Sequence, residues 1–281
     1  MLIGIIVTLS ALVGAGLCLM QCAVYGLGYL WVLPVAFAAT FLALALTVFL
    51  VLWISCLFVR LDRQQEKESK YYRFLVRMLM PAALSILQVR MHTQGLEKTP
   101  KQGKFLLVCN HLSLVDPLVL LRYFPKNNLA FISKRENSSM FLVGKLMHKI
   151  MCLPINREND REALKTILKC VELIRADMVS IGVFPEGYIR GDNLLHPFRN
   201  GVFKIAQKTG VPIVICTLRN PQHVFKNAAR LKTTDVHLHL VDVIAPESYA
   251  GMNATAIGNM VYEKMAADLG PELTWQPQEE N

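Results

Sequence analysis

His111 and Asp116 are a pair of residues whose types and spacing suit acid–base chemistry. His111 comes two residues after the end of an apolar run at 105–109 that predicts a buried strand, and Asp116 comes five residues later. If the residues between them turn into a helix, the carboxylate approaches the imidazole. A carboxylate that accepts from one ring nitrogen fixes the tautomer and leaves the other nitrogen free to take a proton. The spacing therefore predicts that His111 is a general base, acting on a hydroxyl or on water, with Asp116 orienting it.

A second predicted strand end carries polar residues that suit anion binding. The run Phe184-Pro185-Glu186-Gly187 places a carboxylate beside a flexible glycine, which can present backbone amides to a ligand. Further side-chain donors follow at Tyr188, Arg190 and Arg199. A third segment, 153–157, ends in Arg157, and the planar arginine fork suits bidentate binding of phosphate.

Short apolar runs alternate with amphipathic segments from residue 104 onward, which is the pattern of an α/β fold. We predict strands at 105–109, 129–133, 179–184, 211–218 and 236–244, and helices at 117–123, 138–150, after Asn159, at 201–209 and at 254–269. The expected fold is a mixed, largely parallel sheet flanked by helices. Ligands of such sheets bind at the carboxyl ends of the strands, where both polar clusters fall.

The first 59 of the 281 residues contain no Asp, Glu, Lys or Arg, and 53% of the whole chain is hydrophobic. Two apolar runs in this segment are each long enough to span a membrane. Gln21, Gly26, Gly28 and Pro34 loosen the helical pattern between them. We expect an anchor of two helices at 1–59, although a cleaved signal peptide or one tilted span with a buried remainder would also fit the pattern. The pattern excludes a disordered chain and a polytopic transporter.

Basic residues follow the second apolar run at Arg60, Arg63, Lys67, Lys70, Arg73 and Arg77. The positive-inside rule places everything after them in the cytoplasm. Aromatic and basic residues mix at 71–88, which indicates a helix lying in the membrane interface, or a core helix with two snorkelling arginines. The expected organisation is an anchor at 1–59, an interfacial helical segment at 60–92, an α/β domain at 93–272 and a polar tail at 273–281.

The net charge of +9 suits an anionic lipid leaflet, a phosphorylated lipid or an acidic carrier. The basic residues form no dense stripe, so nucleic acid is not an expected partner. The seven cysteines are scattered, which favours free thiols over a disulfide framework. His237 and His239 share a strand face, but no third ligand is evident, so a solvated face is favoured over a metal site.

Four blocks resemble those of the glycerolipid acyltransferases, most nearly the 1-acyl-sn-glycerol-3-phosphate acyltransferases. They are, in order, NHLSLVD at 110–116, PINR at 154–157, FPEG at 184–187 and VPIV at 211–214. The resemblance covers about residues 105–218, and the two-helix anchor is similar to that of bacterial members. It implies a membrane enzyme of phospholipid synthesis that moves a fatty acyl group to the sn-2 hydroxyl of 1-acylglycerol-3-phosphate, giving phosphatidate.

The resemblance also implies roles for individual residues. His111 would be the base and Asp116 its partner, Arg157 would grip the acceptor phosphate, and Glu186 and Gly187 would shape the acceptor site. Two further residues, Asn110 and Arg190, are expected to bind substrate, and Val211 and Pro212 to help form the donor side. No bound cofactor or metal is implied. The acyl donor would be acyl-CoA or acyl-acyl carrier protein, and the lipid partner lysophosphatidate.

The third block departs from the family after its glycine. The family commonly has Thr-Arg-Ser there, whereas this chain has Tyr188-Ile189-Arg190, so that Ile189 occupies the arginine position. An acyltransferase for a different lysolipid acceptor therefore stays open. A hydrolase in which His111 activates water stays open too, as does a non-catalytic membrane scaffold with this fold.

Overall fold

The computed structural model describes residues 2–61 and 65–276. Arg63, one of the basic residues that predict the orientation, and residues 277–281 of the predicted polar tail lie outside the described residues. The chain divides into two compact units, Met1–Arg63 and Gln64–Asn281.

The first unit is a pair of apolar helices, α1 (Leu2–Tyr25) and α2 (Val32–Leu57). Both are long and apolar enough to cross a membrane, as the predicted two-helix anchor requires. Gly14 of α1 faces α2, where a β-carbon would come within 3.2 Å of the carbonyl oxygen of Leu33. The absent side chain lets the two backbones approach closely, which is a common way for apolar helices to pair.

The second unit alternates strands and helices, as the sequence predicts. Its elements in chain order are α3 (Lys70–Ile86), β1 (Val89–Gln94), β2 (Leu106–Cys109), α4 (Asp116–Tyr123), β3 (Leu129–Lys134), α5 (Phe141–Lys149), β4 (Leu153–Ile155), α6 (Asp160–Arg175), β5 (Ser180–Val183), α7 (Lys204–Thr209), β6 (Ile213–Arg219), α8 (Val224–Ala228), β7 (Thr234–Ile244) and α9 (Ala254–Leu269).

Within the described residues the strands form one seven-stranded sheet, in the order β1-β7-β6-β2-β5-β3-β4. All neighbouring strands are parallel except β6 and β7, which run antiparallel. The fold prediction, a mixed and largely parallel sheet flanked by helices, is therefore confirmed.

The central strands β2 and β5 hold the core, and every residue in both is buried. Strands covered on both faces need a continuous apolar run, which is why LLVC and SIGV show no alternation. The parallel strands β2, β4 and β5 end at the same edge of the sheet. His111 follows β2, Arg157 follows β4 and Glu186 follows β5, so the fold gathers the three predicted clusters at one edge.

Two strands lie where the sequence predicts none. The sheet-edge strand β1 pairs with β7 alone, and its burial pattern is mostly exposed, so its sequence VRMHTQ lacks an apolar run. It takes up residues 89–92, the end of the predicted helical segment 60–92. Strand β4 has only three residues, too few for a period to be recognised.

Helix α3 packs into the α/β unit through one face. Arg73, predicted to snorkel or to face lipid, is 5% exposed and points inward. Its guanidinium donates to the carbonyl oxygens of Leu129 at 2.7 Å and Ile150 at 3.2 Å, and pairs with Glu68. The exposed face of the same helix carries Phe74. Buried hydrogen bonds to main-chain carbonyls therefore hold α3, which the sequence does not anticipate.

The start of the predicted polar tail is packed against the domain. Thr274 is 8% exposed and bridges to Leu195, while the amide of Trp275 donates to the Leu195 carbonyl at 3.0 Å. The first residues of the predicted tail therefore make backbone contacts with the α/β unit.

Candidate active site

His111 and Asp116 are in direct contact. Oδ2 of Asp116 lies 2.8 Å from Nδ1 of His111 and accepts the amides of Leu112 at 2.7 Å and Ser113 at 2.8 Å. Asp116 opens α4, so the loop after β2 wraps around the carboxylate of the residue that begins the helix. Nδ1 is thereby occupied, and Nε2 of His111 is left to exchange a proton.

The surroundings of Asp116 have two opposite effects on the charge of its carboxyl group. Asp116 is fully buried, and this burial raises the pKa of its carboxyl. The hydrogen bonds from His111 and the two amides act in the other direction, because they favour the charged form. The side chain of His111 is 15% exposed, so the ring is held yet still reachable. The arrangement suits a base whose tautomer is fixed by a buried carboxylate.

Glu186 lies behind the backbone of His111. Its Oε1 accepts the amide of His111 at 2.8 Å, and its Oε2 accepts the amide of His196 at 3.0 Å. The side chain is 3% exposed, and burial raises its pKa to about 7. Because both oxygens bind backbone amides, Glu186 ties the His111 loop to the segment around His196 and shapes the site from behind.

An aromatic column supports the histidine ring. The ring of His111 stacks on Phe184, with centroids 4.1 Å apart and planes inclined by 18°. Phe184 in turn stacks on Phe131 at 5.7 Å. Sequence reasoning used Phe184 only as a letter of the third block and missed Phe131, because no pattern along the chain relates a residue of β3 to a histidine after β2.

Asn110 binds the backbone of the neighbouring strand. Its Nδ2 donates to the carbonyl of Leu218 at 2.9 Å, and its Oδ1 accepts the Leu218 amide at 2.7 Å. The residue is 1% exposed. These contacts join the end of β2 to β6, and the predicted contact of Asn110 with substrate stays a prediction that they do not support.

Two arginines gather at the ring of Tyr188. The guanidinium carbons of Arg157 and Arg199 lie 5.1 Å and 4.9 Å from its centroid. Arg199 also donates to the Tyr188 hydroxyl at 3.2 Å and to the carbonyl of Arg157 at 3.3 Å. Burial lowers the pKa of Arg157. Within the described part of the chain the Arg157 side chain donates no hydrogen bond, so its fork can bind an anion.

A pocket of about 300 Å³ lies between these arginines and the aromatic column. Arg157 and Arg199 line it together with Phe184, whose ring also stacks on His111. Its remaining walls are largely apolar, with Ile132 and Ile167 among them. An apolar pocket with two cations beside a base suits a lipid that carries a phosphate.

The structure gives a reason for Gly187 at its position but shows no contact for Arg190 among the described residues. Gly187 has φ +84°, and a β-carbon there would come within 3.1 Å of Cδ of Arg199, so the close approach of Arg199 needs a glycine. Arg190 is exposed and makes neither a hydrogen bond nor an ion pair with the residues that the structure describes. Its predicted contact with substrate stays a prediction.

Val211 and Pro212 lie at the other edge of the sheet. The carbonyl of Pro212 accepts the amide of Leu106, the first residue of β2, whereas His111 follows the last residue of that strand. The two residues therefore lie at the opposite end of β2 from His111, and their expected part in the donor side stays a prediction. Because β6 runs parallel to β2 and begins beside its first residue, the residues just before β6 lie at the end of the strands away from the site.

The histidines of β7 have protein partners. Nδ1 of His239 lies 2.6 Å from Oδ1 of Asp268, and the ring of His237 stacks on His92 at 4.7 Å. Among residues 2–61 and 65–276, no group of three or more His, Cys, Asp or Glu side chains could hold a metal ion.

Comparison with known proteins finds one family in several ways. Residues 90–219 match the model of the family described as Acyltransferase. The chain is 27% identical over 187 residues to a 1-acyl-sn-glycerol-3-phosphate acyltransferase of Borreliella burgdorferi, covering 65% of this chain and 74% of that protein. It is 30% identical over 207 residues to a probable 1-acyl-sn-glycerol-3-phosphate acyltransferase of Mycoplasma pneumoniae, covering 69% and 75%. It spans only 42% of a chloroplast relative from Brassica napus.

A solved structure has the same fold. The chain superimposes with a TM-score of 0.61 on the 1-acyl-sn-glycerophosphate acyltransferase PlsC from Thermotoga maritima, at 21% identity, covering 78% of this chain and 86% of that one. At that identity the likeness concerns the fold, with its sheet and flanking helices.

Proposed function

Because the chain belongs to the 1-acyl-sn-glycerol-3-phosphate acyltransferase family, we propose that it transfers a fatty acyl group from a thioester donor to the sn-2 hydroxyl of 1-acylglycerol-3-phosphate, giving phosphatidate. The observation that carries the proposal is the contact between His111 and the buried Asp116, beside a pocket with two arginines. Related enzymes carry this acceptor in their names.

In the proposed mechanism Nε2 of His111 takes the proton of the acceptor hydroxyl as its oxygen attacks the thioester carbonyl. The tetrahedral intermediate then collapses, the C–S bond breaks, and the thiolate receives the proton from His111. No acyl-enzyme forms, and no cofactor is bound. General-base catalysis supplies about a hundred- to ten-thousand-fold, and positioning of the two substrates supplies much of the remainder.

Three amides of the loop before α4 are already engaged, so the oxyanion of that intermediate needs other donors. The amide of His111 donates to Glu186, and those of Leu112 and Ser113 donate to Asp116. These amides therefore hold the base in place and cannot also bind a developing charge.

Arg157 is the proposed partner of the acceptor phosphate, since its unoccupied fork lines the pocket beside Phe184. Arg199 keeps that fork on the ring of Tyr188 and adds a second positive charge. Arg190 is proposed as an outer contact for the same group. With its phosphate bound there, the acceptor would present its glycerol hydroxyl to His111.

We further propose that α1 and α2 anchor the enzyme in the cell membrane with the α/β unit in the cytoplasm. Their apolar length supports the anchor, and the basic residues after α2 support the orientation. An enzyme placed there meets both its lipid acceptor and its thioester donor.

The test is an acyl-transfer assay on purified protein in lipid nanodiscs, with lysophosphatidate and a labelled acyl donor supplied either on CoA or on acyl carrier protein. His111→Ala should lower turnover at least a hundredfold. His92→Ala is the matched control, because His92 pairs with Asp235 at 2.7 Å on the edge strand, away from the site.

Each remaining outcome has a definite meaning. Phosphatidate formed equally by His111→Ala would overturn the mechanism. Release of free fatty acid without loss of lysophosphatidate would identify a hydrolase. Transfer to another lysolipid alone would replace the acceptor, and no turnover with either donor would favour a scaffold.

A further inference from the structure

A second pocket, of about 500 Å³, lies between α9 and the segment before α7. Three aromatic rings and three side-chain amides line it around one glycine: Phe198, Tyr262, Trp275, Asn200, Asn259, Gln276 and Gly258. No lining residue in the described part of the chain is charged. Its volume is that of pockets that hold small organic ligands, and the proposed mechanism gives these side chains no role.

One polar atom at the pocket lacks a partner. Oδ1 of Asn200 is buried and accepts no hydrogen bond from the described residues. Asn200 packs directly over Gly258, where a β-carbon would overlap that oxygen. This oxygen therefore faces Gly258, and the polar groups that a ligand can reach are the other side-chain amides of the lining.

The pocket adjoins the machinery around His111. The ring of Trp275 lies 6.0 Å from that of His196, and the amide of His196 donates to the same Glu186 carboxylate that accepts the His111 amide. Burial and the charge of Glu186 raise the pKa of Tyr262, another residue of the lining. A ligand in the pocket would therefore be connected to the His111 loop through Trp275, His196 and Glu186.

The lining matches a flat, uncharged heteroaromatic ring. Aromatic side chains stack on nucleobases, and Asn side chains recognise the edge of adenine, which offers both an amino donor and ring-nitrogen acceptors. A phosphate would need a cation in the wall, and a fatty chain would leave the amides unpaired. Of the two thioester donors, acyl-CoA carries an adenine on a long flexible arm, whereas the carrier protein presents that arm without a nucleotide.

We propose that this pocket binds the adenine ring of an acyl-CoA donor, whose arm then reaches the His111 site. The proposal rests on the proposed acyl transfer and names its donor. It assigns Trp275 and Tyr262 to stacking, and the side-chain amide of Asn259 to the polar edge of the base.

The test compares two donors that differ only in the nucleotide. Trp275→Leu and Tyr262→Leu are assayed with acyl-CoA and with the same acyl thioester of phosphopantetheine. Loss of one stacking ring should raise KM for acyl-CoA about 5- to 150-fold while kcat stays the same. KM for the truncated donor should not change. Phe225→Leu, which removes an aromatic ring 49% exposed on α8, is the matched control.

Binding without acceptor separates this inference from the proposed function. Calorimetry in nanodiscs should give a Kd for CoA at least fivefold weaker in Trp275→Leu than in wild type, with no difference for phosphopantetheine. Equal CoA affinity in both proteins, or an equal rise in KM for both donors, would overturn the inference. If CoA binding depends on Trp275 but lysophosphatidate is never acylated, the proposed acceptor fails and the adenine pocket stands.

Discussion

The ring of Phe131 lies against the α-carbon of Gly182, in the space that a side chain at 182 would fill. A β-carbon there would come within 2.5 Å of Cε1 of Phe131. Since Phe131 stacks on Phe184, and Phe184 on His111, one glycine in the central strand β5 sets where the aromatic column rests. The position of the base therefore depends on a residue that performs no chemistry.

Gly182→Ala is expected to displace this column. Overpacking a well-filled core costs about 1–3 kcal/mol, and the displaced Phe184 should move His111 away from its productive position. We expect a lower melting temperature together with a fall in kcat of at least tenfold. Gly16→Ala on α1 is the control, because no atom lies within 4 Å of its β-carbon position. Wild-type kcat in Gly182→Ala would show that the column does not position the base.

Asp116→Asn should separate catalysis from stability. Burial raises the pKa of Asp116, so the folded protein disfavours its charge, and a neutral side chain relieves that cost. The amide cannot fix the same tautomer of His111, and the corresponding change in serine hydrolases lowers kcat about 10⁴-fold. We expect a loss of a hundredfold or more in kcat with an unchanged or higher melting temperature.

The control for this change is Asp235→Asn, which alters the His92 pair at the sheet edge and should leave kcat intact. A variant of Asp116 that merely unfolds, with normal specific activity in its folded fraction, would contradict the orienting role.

Glu186→Gln should change how stability depends on pH. The folded protein raises the pKa of Glu186 to about 7 from 4.5, so it binds this proton more tightly than the unfolded chain. The resulting stabilisation is complete below pH 4.5 and is lost as pH rises through 7, a change of about 3 kcal/mol. Denaturant titrations at pH 5 to 8 should show the wild type losing stability relative to Glu186→Gln.

Glu172→Gln, which alters a carboxylate 65% exposed on α6, is the matched control and should keep the wild-type slope. Parallel curves for wild type and Glu186→Gln across this range would mean that Glu186 does not titrate there.

Arg157→Ala should weaken the use of an acceptor that carries a phosphate and leave the use of an acceptor without one unchanged. A hydrogen bond from a cation to phosphate contributes about 1.5–3 kcal/mol, so KM for lysophosphatidate should rise about 10- to 150-fold. A monoacylglycerol acceptor lacks the phosphate, and its transfer rate should be unchanged. Arg122→Ala removes an exposed cation of α4 and serves as the control. An equal loss of activity with both acceptors would show that Arg157 has a structural role and does not bind the phosphate.

The sequence by itself determined the fold class, the two apolar N-terminal helices and the pairing of His111 with Asp116. These depend on local order. The apolar periods identify strands and helices wherever the residues of one element are contiguous. The contact of Asp116 with His111 is local too, because the loop that connects β2 to α4 closes on the first residue of that helix.

Only the tertiary structure decided what surrounds the base. Asn110 binds Leu218 across 108 positions, and Glu186 reaches the amide of His111 across 75. The periods within a segment do not say which strand lies beside which. The sequence therefore shows neither the contact of Asn110 with β6 nor the position of Pro212 at the opposite end of β2 from His111. Arg73 turned inward for the same reason: its partners are carbonyls of segments 56 and 77 residues away, brought to it by packing of the whole domain.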